Sequence, residues 1–305
     1  MATTDYKKLA LRQYPRLPSR RTAESRYWRK FKFPVLVKEF DAVTNISFSG
    51  TRPHDFAVTS STRVQIYSAV NQAVKKTVSR FKDVAYGATI RRDGKLLVAG
   101  GQEPVVQLFD MNSRSTLRSF KGHLGAVRVS TFSPNNTVIM SASDDRTVRG
   151  WDIPGDTQLF SFEGHTDYIR SGLVAEDNPD LWLTGSYDHT VRLWDTRVGG
   201  SVMTLEHGAP VESLLMFPGG GLIASAGGNF VRIWDVIGGG RMLQSISNHQ
   251  KTITGLCFDA NRTRLLSCSL DQHVKIYNVQ DYKVTHSVKY PAPVLCIGLS
   301  VRLEE

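Results

Sequence analysis

Short apolar runs alternate with polar turn clusters along nearly the whole chain. The runs hold five or six residues rich in Val, Ile, Leu and Phe. Between them stand RRDGK (91–95), SPNNT (133–137), AEDNPD (175–180), FPGGG (217–221) and DANRTR (259–264). Runs of this length, bounded by Gly, Pro, Asn and Asp, read as short strands joined by tight turns. No segment sustains a 3.6-residue period, so almost no helix is expected in the body of the protein.

The pattern repeats. Val-x-x-aromatic, usually followed by Asp, recurs as VQIYS, VQLFD, VRGWD, VRLWD, VRIWD and VKIYN. Its aromatics are Tyr67, Phe109, Trp151, Trp194, Trp234 and Tyr277, spaced by 42, 42, 43, 40 and 43 residues. A second series of apolar residues closes a short segment 11 to 14 positions later. It runs Phe40, Phe81, Phe120, Phe162, Leu205, Ile246 and Val288, with spacings of 41, 39, 42, 43, 41 and 42. A period of 40–45 with Gly-His and Trp-Asp signatures is that of WD40 repeats, four strands to a propeller blade.

Counting strands from the axis outward, the innermost is expected seven times, first near 43–48 and last near 294–300. The outermost is also expected seven times, beginning at 34–40, and the two middle strands six times. That makes 26 strands where seven blades need 28. The expectation is an all-β, seven-bladed WD40 β-propeller with an incomplete closing blade. It occupies 34–305 as six full blades plus parts of the seventh, behind a basic arm at 1–33. The missing strands suggest a shortened form of a longer chain.

Charge is concentrated at one end. Residues 1–38 carry eleven basic and two acidic side chains, a net of +9, and the other 267 residues carry the remaining +1 of a total of +10. Such an arm attracts polyanions by counterion release, without sequence preference. Arg20, Arg21, Arg29, Lys30 and Lys32 are the candidates for contact with a polyanion or an acidic partner. Tyr14, Tyr27, Trp28, Phe31 and Phe33 stand among the charges. They would either stack on unpaired bases or anchor the arm.

Other chemistry is sparse. Cys257, Cys268 and Cys296 are too few and scattered for a disulfide framework, and none forms Cys-x-x-Cys. A reducing compartment fits, and neither metal nor cofactor is expected. No run of 18 apolar residues occurs, so no membrane helix is expected. The triple glycines at 219–221 and 238–240 lie between strands, outside any strand–loop–helix phosphate unit. Histidines and aspartates recur once per repeat, as structural groups do, rather than forming one catalytic constellation. The WD40 resemblance implies a hydrogen-bonded network of His123, Asp145 and Trp151 in one repeat, and of His165, Ser186, Asp188 and Trp194 in the next.

Longer stretches narrow the resemblance. They are RYWRKFKFPVLVKEFDAVTNISFS, SRFKDVAYGATIRRDGKLLVAG, NPDLWLTGSYDHTVRLWD, HGAPVESLLMFPGGGLIASAGG and DYKVTHSVKY. Over residues 12–300 the chain resembles the U3 small nucleolar RNA-associated family of WD40 subunits. That resemblance implies a non-catalytic scaffold in the nucleolar small-subunit processome, linked to 18S rRNA maturation and RNA polymerase I transcription. Implied partners are other processome subunits and pre-rRNA or the U3 ribonucleoprotein, with no membrane or small-molecule substrate. The family also has a helical C-terminal domain that this chain lacks. Two alternatives stay open. Trp194-Asp195-Thr196-Arg197 resembles the Trp-Asp-x-Arg box of cullin-ligase substrate receptors. A generic WD40 adaptor would use exposed residues such as Tyr168 and Arg170, or Arg91 and Arg92.

Overall fold

The computed structural model describes residues 23–32, 35–79 and 81–300. Contacts divide the chain between Val35 and Leu36.

In the first part a helix spans Ala23–Arg29, followed by a single 3-10 turn at Lys30–Lys32. Glu24 lies in its first turn and Arg26 and Arg29 in its last, the polarity that suits the helix dipole. Tyr27, Trp28 and Phe31 meet edge-on or tilted, with centroids 4.9–5.7 Å apart. These three aromatics therefore pack on one another, Phe31 meeting Trp28 and Tyr27 at the helical spacings of three and four residues, while Tyr14 and Phe33 lie outside the described residues.

Among the described residues of the second part, the strands form six four-stranded antiparallel sheets. These blades span 43–78, 85–121, 127–162, 169–206, 211–246 and 253–289, and are numbered I to VI in that order. In each, consecutive strands pair as a meander from the innermost outward. The second strand is almost wholly buried, as in Leu181–Ser186, and the outer strand is mostly exposed, as in Arg241–Ile246. This explains the sequence pattern. The second strand lies covered on both faces and reads as a continuous run of small and apolar residues.

In every blade the register between third and outer strands shifts at the aromatic of Val-x-x-aromatic: Tyr67, Phe109, Trp151, Trp194, Trp234 and Tyr277. The extra residue stands in the outer strand, as Leu159 does in blade III, while the third strand keeps its regular pairing with the second; such a bulge adds local twist. Five apolar clusters lie between consecutive blades. One joins Met140, Ala142 and Phe162 of blade III to Ile169, Trp182 and Trp194 of blade IV. A blade cannot bury its own faces, so the core is made by stacking neighbours.

Two expectations are corrected. The structure has six blades, not seven. Residues 35–40 and 291–300 take no strand conformation. With no middle strands to pair them, both stretches lack a ladder of hydrogen bonds. Residues 294–298 nevertheless run between the inner strands of blades VI and I. Thr254 Oγ1 donates to Val294 O at 2.7 Å. A Cβ on Gly298 would stand 3.1 Å from the Phe48 ring. The outer-strand series also changes at its start. Blade I closes at Val78, which is 2 % exposed, whereas Phe40 is 85 % exposed. Phe81 lies three residues beyond Val78. The series Val78, Phe120, Phe162, Leu205, Ile246 and Val288 then keeps spacings of 41 to 43.

Candidate functional site

Four blades carry a buried polar chain built on a histidine just before the inner strand. In blade III, Trp151 Nε1 donates to Ser141 Oγ at 2.7 Å. Ser141 Oγ lies 2.7 Å from His123 Nε2, and His123 Nδ1 lies 2.8 Å from Asp145 Oδ2. The donors fix the direction. An ionised carboxylate only accepts, so Nδ1 donates to Asp145; in the neutral ring Nε2 then accepts from the serine hydroxyl. Asp145 also accepts from the backbone N–H of Leu124 and from the N–H and hydroxyl of Thr147. Burial pushes its pKa up. The His123, Leu124 and Thr147 hydrogen bonds outweigh that and hold it well below the usual carboxylate range.

Blade IV repeats the arrangement through Trp194, Thr184, His165 and Asp188. Here the structure corrects the sequence reading. Thr184, not Ser186, bridges indole and imidazole. Both side chains share one face of the strand, but Thr184, two residues further from the turn and paired with Arg192, lies diagonal to Trp194 and accepts its indole N–H at 2.8 Å. Ser186 lies at the turn and donates to Asp167 O at 2.9 Å. Blade VI uses His249, Ser267 and Asp271, and Asp271 is held at about 2, burial being overcome by the Gln250 N–H, His249 and the His273 N–H.

Blade V turns the ring over. With no aspartate in the turn, His207 Nδ1 faces Ser225 Oγ at 2.8 Å and Nε2 faces Gly227 O at 3.2 Å. Nε2 carries the proton here. A Cβ on Gly227 would stand 2.5 Å from Pro210 O and 2.6 Å from His207 Cδ2, so only glycine fits. Burial lowers the His207 pKa to about 4.

Blades I and II hold the same site without histidine. Positions 39, 81, 123, 165, 207 and 249 are spaced by 42 throughout. Glu39 accepts from the Tyr67 and Ser60 hydroxyls. Burial, then the Glu39 carboxylate, pushes the Tyr67 phenol up to about 12. In blade II, Phe81 meets Phe109 edge-on at 5.5 Å, with Ala99 in place of the bridging hydroxyl. A search for histidine misses Glu39; the constant period finds it.

Ser141, His123 and Asp145 share the connectivity of a hydrolase triad. Ser141 is fully buried, however, and its oxygen already accepts the Trp151 N–H. A nucleophile needs access to a substrate, and this hydroxyl has none. Among the described residues, no three His, Cys, Asp or Glu side chains gather to hold a metal ion. No helix among them is long and apolar enough to cross a membrane.

A second repeat position lies at the start of each inner strand: Thr44, Tyr86, Arg128, Arg170, Glu212 and Thr254, again 42 apart. Arg128 stacks 3.8 Å from the Tyr86 ring centroid and pairs with Asp144 at 2.8 Å. Arg170 lies over Tyr187, whose hydroxyl donates to Glu212 at 2.6 Å. These contacts link blades II to III and IV to V. Tyr168 is 47 % exposed beside them. Arg197 is exposed and turned back on Asp195 at 2.7 Å. Arg91 pairs with Asp93 at 2.5 Å. Of the arm candidates, Arg29 and Lys30 are exposed, Lys32 closes the 3-10 turn, and Arg20 and Arg21 lie outside the described residues.

Repeated meanders, a bulge at each Val-x-x-aromatic and the recurring Trp–Ser/Thr–His–Asp chain define one kind of blade. The WD domain, G-beta repeat model matches residues 114–152, 156–195, 199–235 and 240–278, more than half of the chain. The chain belongs to the WD40-repeat family. It is 50% identical over 295 residues to the U3 small nucleolar RNA-associated protein 15 homolog of Xenopus tropicalis, covering 97% of this chain and 57% of that protein. The Homo sapiens homolog is 48% identical over 295 residues, with the same coverage of both chains. The Schizosaccharomyces pombe protein is 45% identical over 302 residues, covering 96% of this chain and 60% of the relative. This WD40 chain thus spans 57–60% of the length of these relatives.

Proposed function

We propose that the protein is a non-catalytic scaffold in nucleolar ribosome biogenesis, acting in the small-subunit processome on the way to 18S rRNA. The observation that carries this is identity near 50% over 97% of the chain to proteins named for association with U3 small nucleolar RNA. The buried polar chains support it from the physical side. Each is satisfied within its own blade, which makes them braces for loops and leaves the surface free for assembly. In this reading residues 1–33 act as a basic arm, and 34–305 form the propeller that presents it. Partners are other processome subunits and pre-rRNA or the U3 particle. Coupling to RNA polymerase I transcription belongs to the same proposal. Arg20, Arg21, Arg29, Lys30 and Lys32 contact the polyanion or an acidic partner.

The test is affinity purification of the tagged chain from nuclear extract, with its RNA and protein read together. U3 RNA and pre-18S species are expected. Recovery of a cullin adaptor in their place would replace this reading with the ligase-receptor one, through Trp194-Asp195-Thr196-Arg197. Replacing the five arm residues with Ala is expected to weaken pre-rRNA retention and flatten its dependence on salt. Unchanged retention across a salt series would remove the arm from the mechanism.

A further inference from the structure

The turns that join inner to second strands gather at one end of the propeller axis. In blade II this turn carries Arg92, in blade IV Glu176 and in blade VI Arg262. Although alternate blades separate them, the three side chains meet. Arg262 Nη2 lies 2.5 Å from Glu176 Oε2, and Arg92 Nη2 lies 3.7 Å from Glu176 Oε1. The intervening blades leave the space open. Blade III has Pro134-Asn135 at this turn, and blade V has Gly219-Gly220-Gly221. Added Cβ atoms on Gly219 and Gly220 would meet nothing within 4 Å.

The charges do not balance. Two guanidinium groups face one carboxylate. Two of the neighbouring acids are engaged elsewhere: Asp93 holds Arg91 at 2.5 Å, and Asp177 accepts the Gly219 N–H at 3.0 Å. The three side chains are about half exposed, at 56%, 53% and 44% for Arg92, Glu176 and Arg262. Exposed pairs of this kind are weak, so Glu176 is readily displaced. A guanidinium fork is matched to phosphate oxygens as well as to carboxylate. Both forks lie within 4 Å of one carboxylate. They are therefore close enough together to grip neighbouring phosphates of a single strand.

We propose that Arg92 and Arg262 form a phosphate-contact site for single-stranded RNA, occupied by Glu176 until the strand displaces it. The choice of RNA rests on the ribosome-biogenesis reading above; the anion chemistry does not. Neither arginine belongs to the basic arm; both stand in turns between strands of the blades.

The experiment uses the whole chain with the five arm residues replaced by Ala, and a fluorescent oligouridylate followed by anisotropy over a salt series. In that background Glu176→Gln is expected to tighten binding about threefold to tenfold, because it removes the competing anion and preserves shape. Arg92→Ala/Arg262→Ala is expected to weaken binding and to reduce the slope of log affinity against log salt by about 1.4, for two lost contacts on a single strand. Unchanged affinity in Glu176→Gln, or an unchanged slope in the double variant, overturns the site. Competition by polyglutamate as strong as by oligouridylate overturns RNA as its ligand. Failure to recover U3 RNA from nuclear extract would sink the ribosome-biogenesis reading and leave these binding constants as they are.

Discussion

His207 makes blade V sensitive to acid in a window where the aspartates of the buried network are not. Its ring is almost fully buried, and its pKa in the folded protein is lowered to about 4 by that burial. In the unfolded chain the ordinary value is about 6.5. Between these values the unfolded state binds the proton and the folded state does not, so stability rises with pH across the window. The contribution is fully present above pH 6.5 and shrinks as pH falls toward 4. Each pH unit inside the window costs about 1.4 kcal/mol, so acidification from pH 7 to pH 5 removes about 2 kcal/mol. His249, also lowered by burial, acts in the same direction. The lowered aspartates behave differently. Asp145, Asp188 and Asp271 keep their contributions until pH falls below the unfolded carboxylate range, near 3.8. The assay is urea unfolding followed by tryptophan fluorescence at pH 7, 6 and 5, for the wild type and for His207→Gln. The glutamine amide can donate to Gly227 O and accept from Ser225, so the site keeps its hydrogen bonds without titrating. The variant is expected to lose about 2 kcal/mol less than the wild type over this range. Equal losses in the two proteins would show that His207 does not enter the folded state neutral, and would refute the reasoning.

Three further variants follow from the blade geometry. Asp145→Ala strips acceptors from His123, Leu124 N–H and Thr147. A thermal melt is expected to show a loss of about 3–5 kcal/mol, as for other buried charge partners. A loss within 1 kcal/mol would mean that the chain is not needed to hold blade III. Gly227→Ala drives a methyl group against Pro210 O and the His207 ring. It is expected to cost about 2–3 kcal/mol, the range of overpacked cores, whereas Gly219→Ala meets no atom and is limited to the backbone cost of its positive φ, about 1 kcal/mol. Equal unfolding midpoints for the two alanine variants would contradict the packing at Gly227.

The blades were legible because one physical cause writes two signals. The register shift of the outer strand falls at the aromatic in every blade, so Val-x-x-aromatic marks it whichever ring is used. The histidine site was only partly legible, because a residue type is a poorer guide than a position. Glu39, Phe81 and His123 do one structural job by three different chemistries: an acid accepting from a phenol, two rings meeting edge-on, and an imidazole relay. Ser186 misled for the opposite reason. It has the right chemistry on the right face, but the bridging oxygen must lie within reach of the indole N–H, and Thr184, two residues further from the turn and diagonal to Trp194, is the one that does. The seventh blade was overcounted because an apolar run carries no information about its partners. Residues 294–298 find an inner-strand place between blades VI and I, and still form no strand, since a strand is defined by the ladder beside it. The meeting of Arg92, Glu176 and Arg262 lay furthest from the sequence. Their spacings of 84 and 86 residues are two repeats each. Two repeats become one contact only because the small turns of blades III and V let the longer side chains reach across the axis.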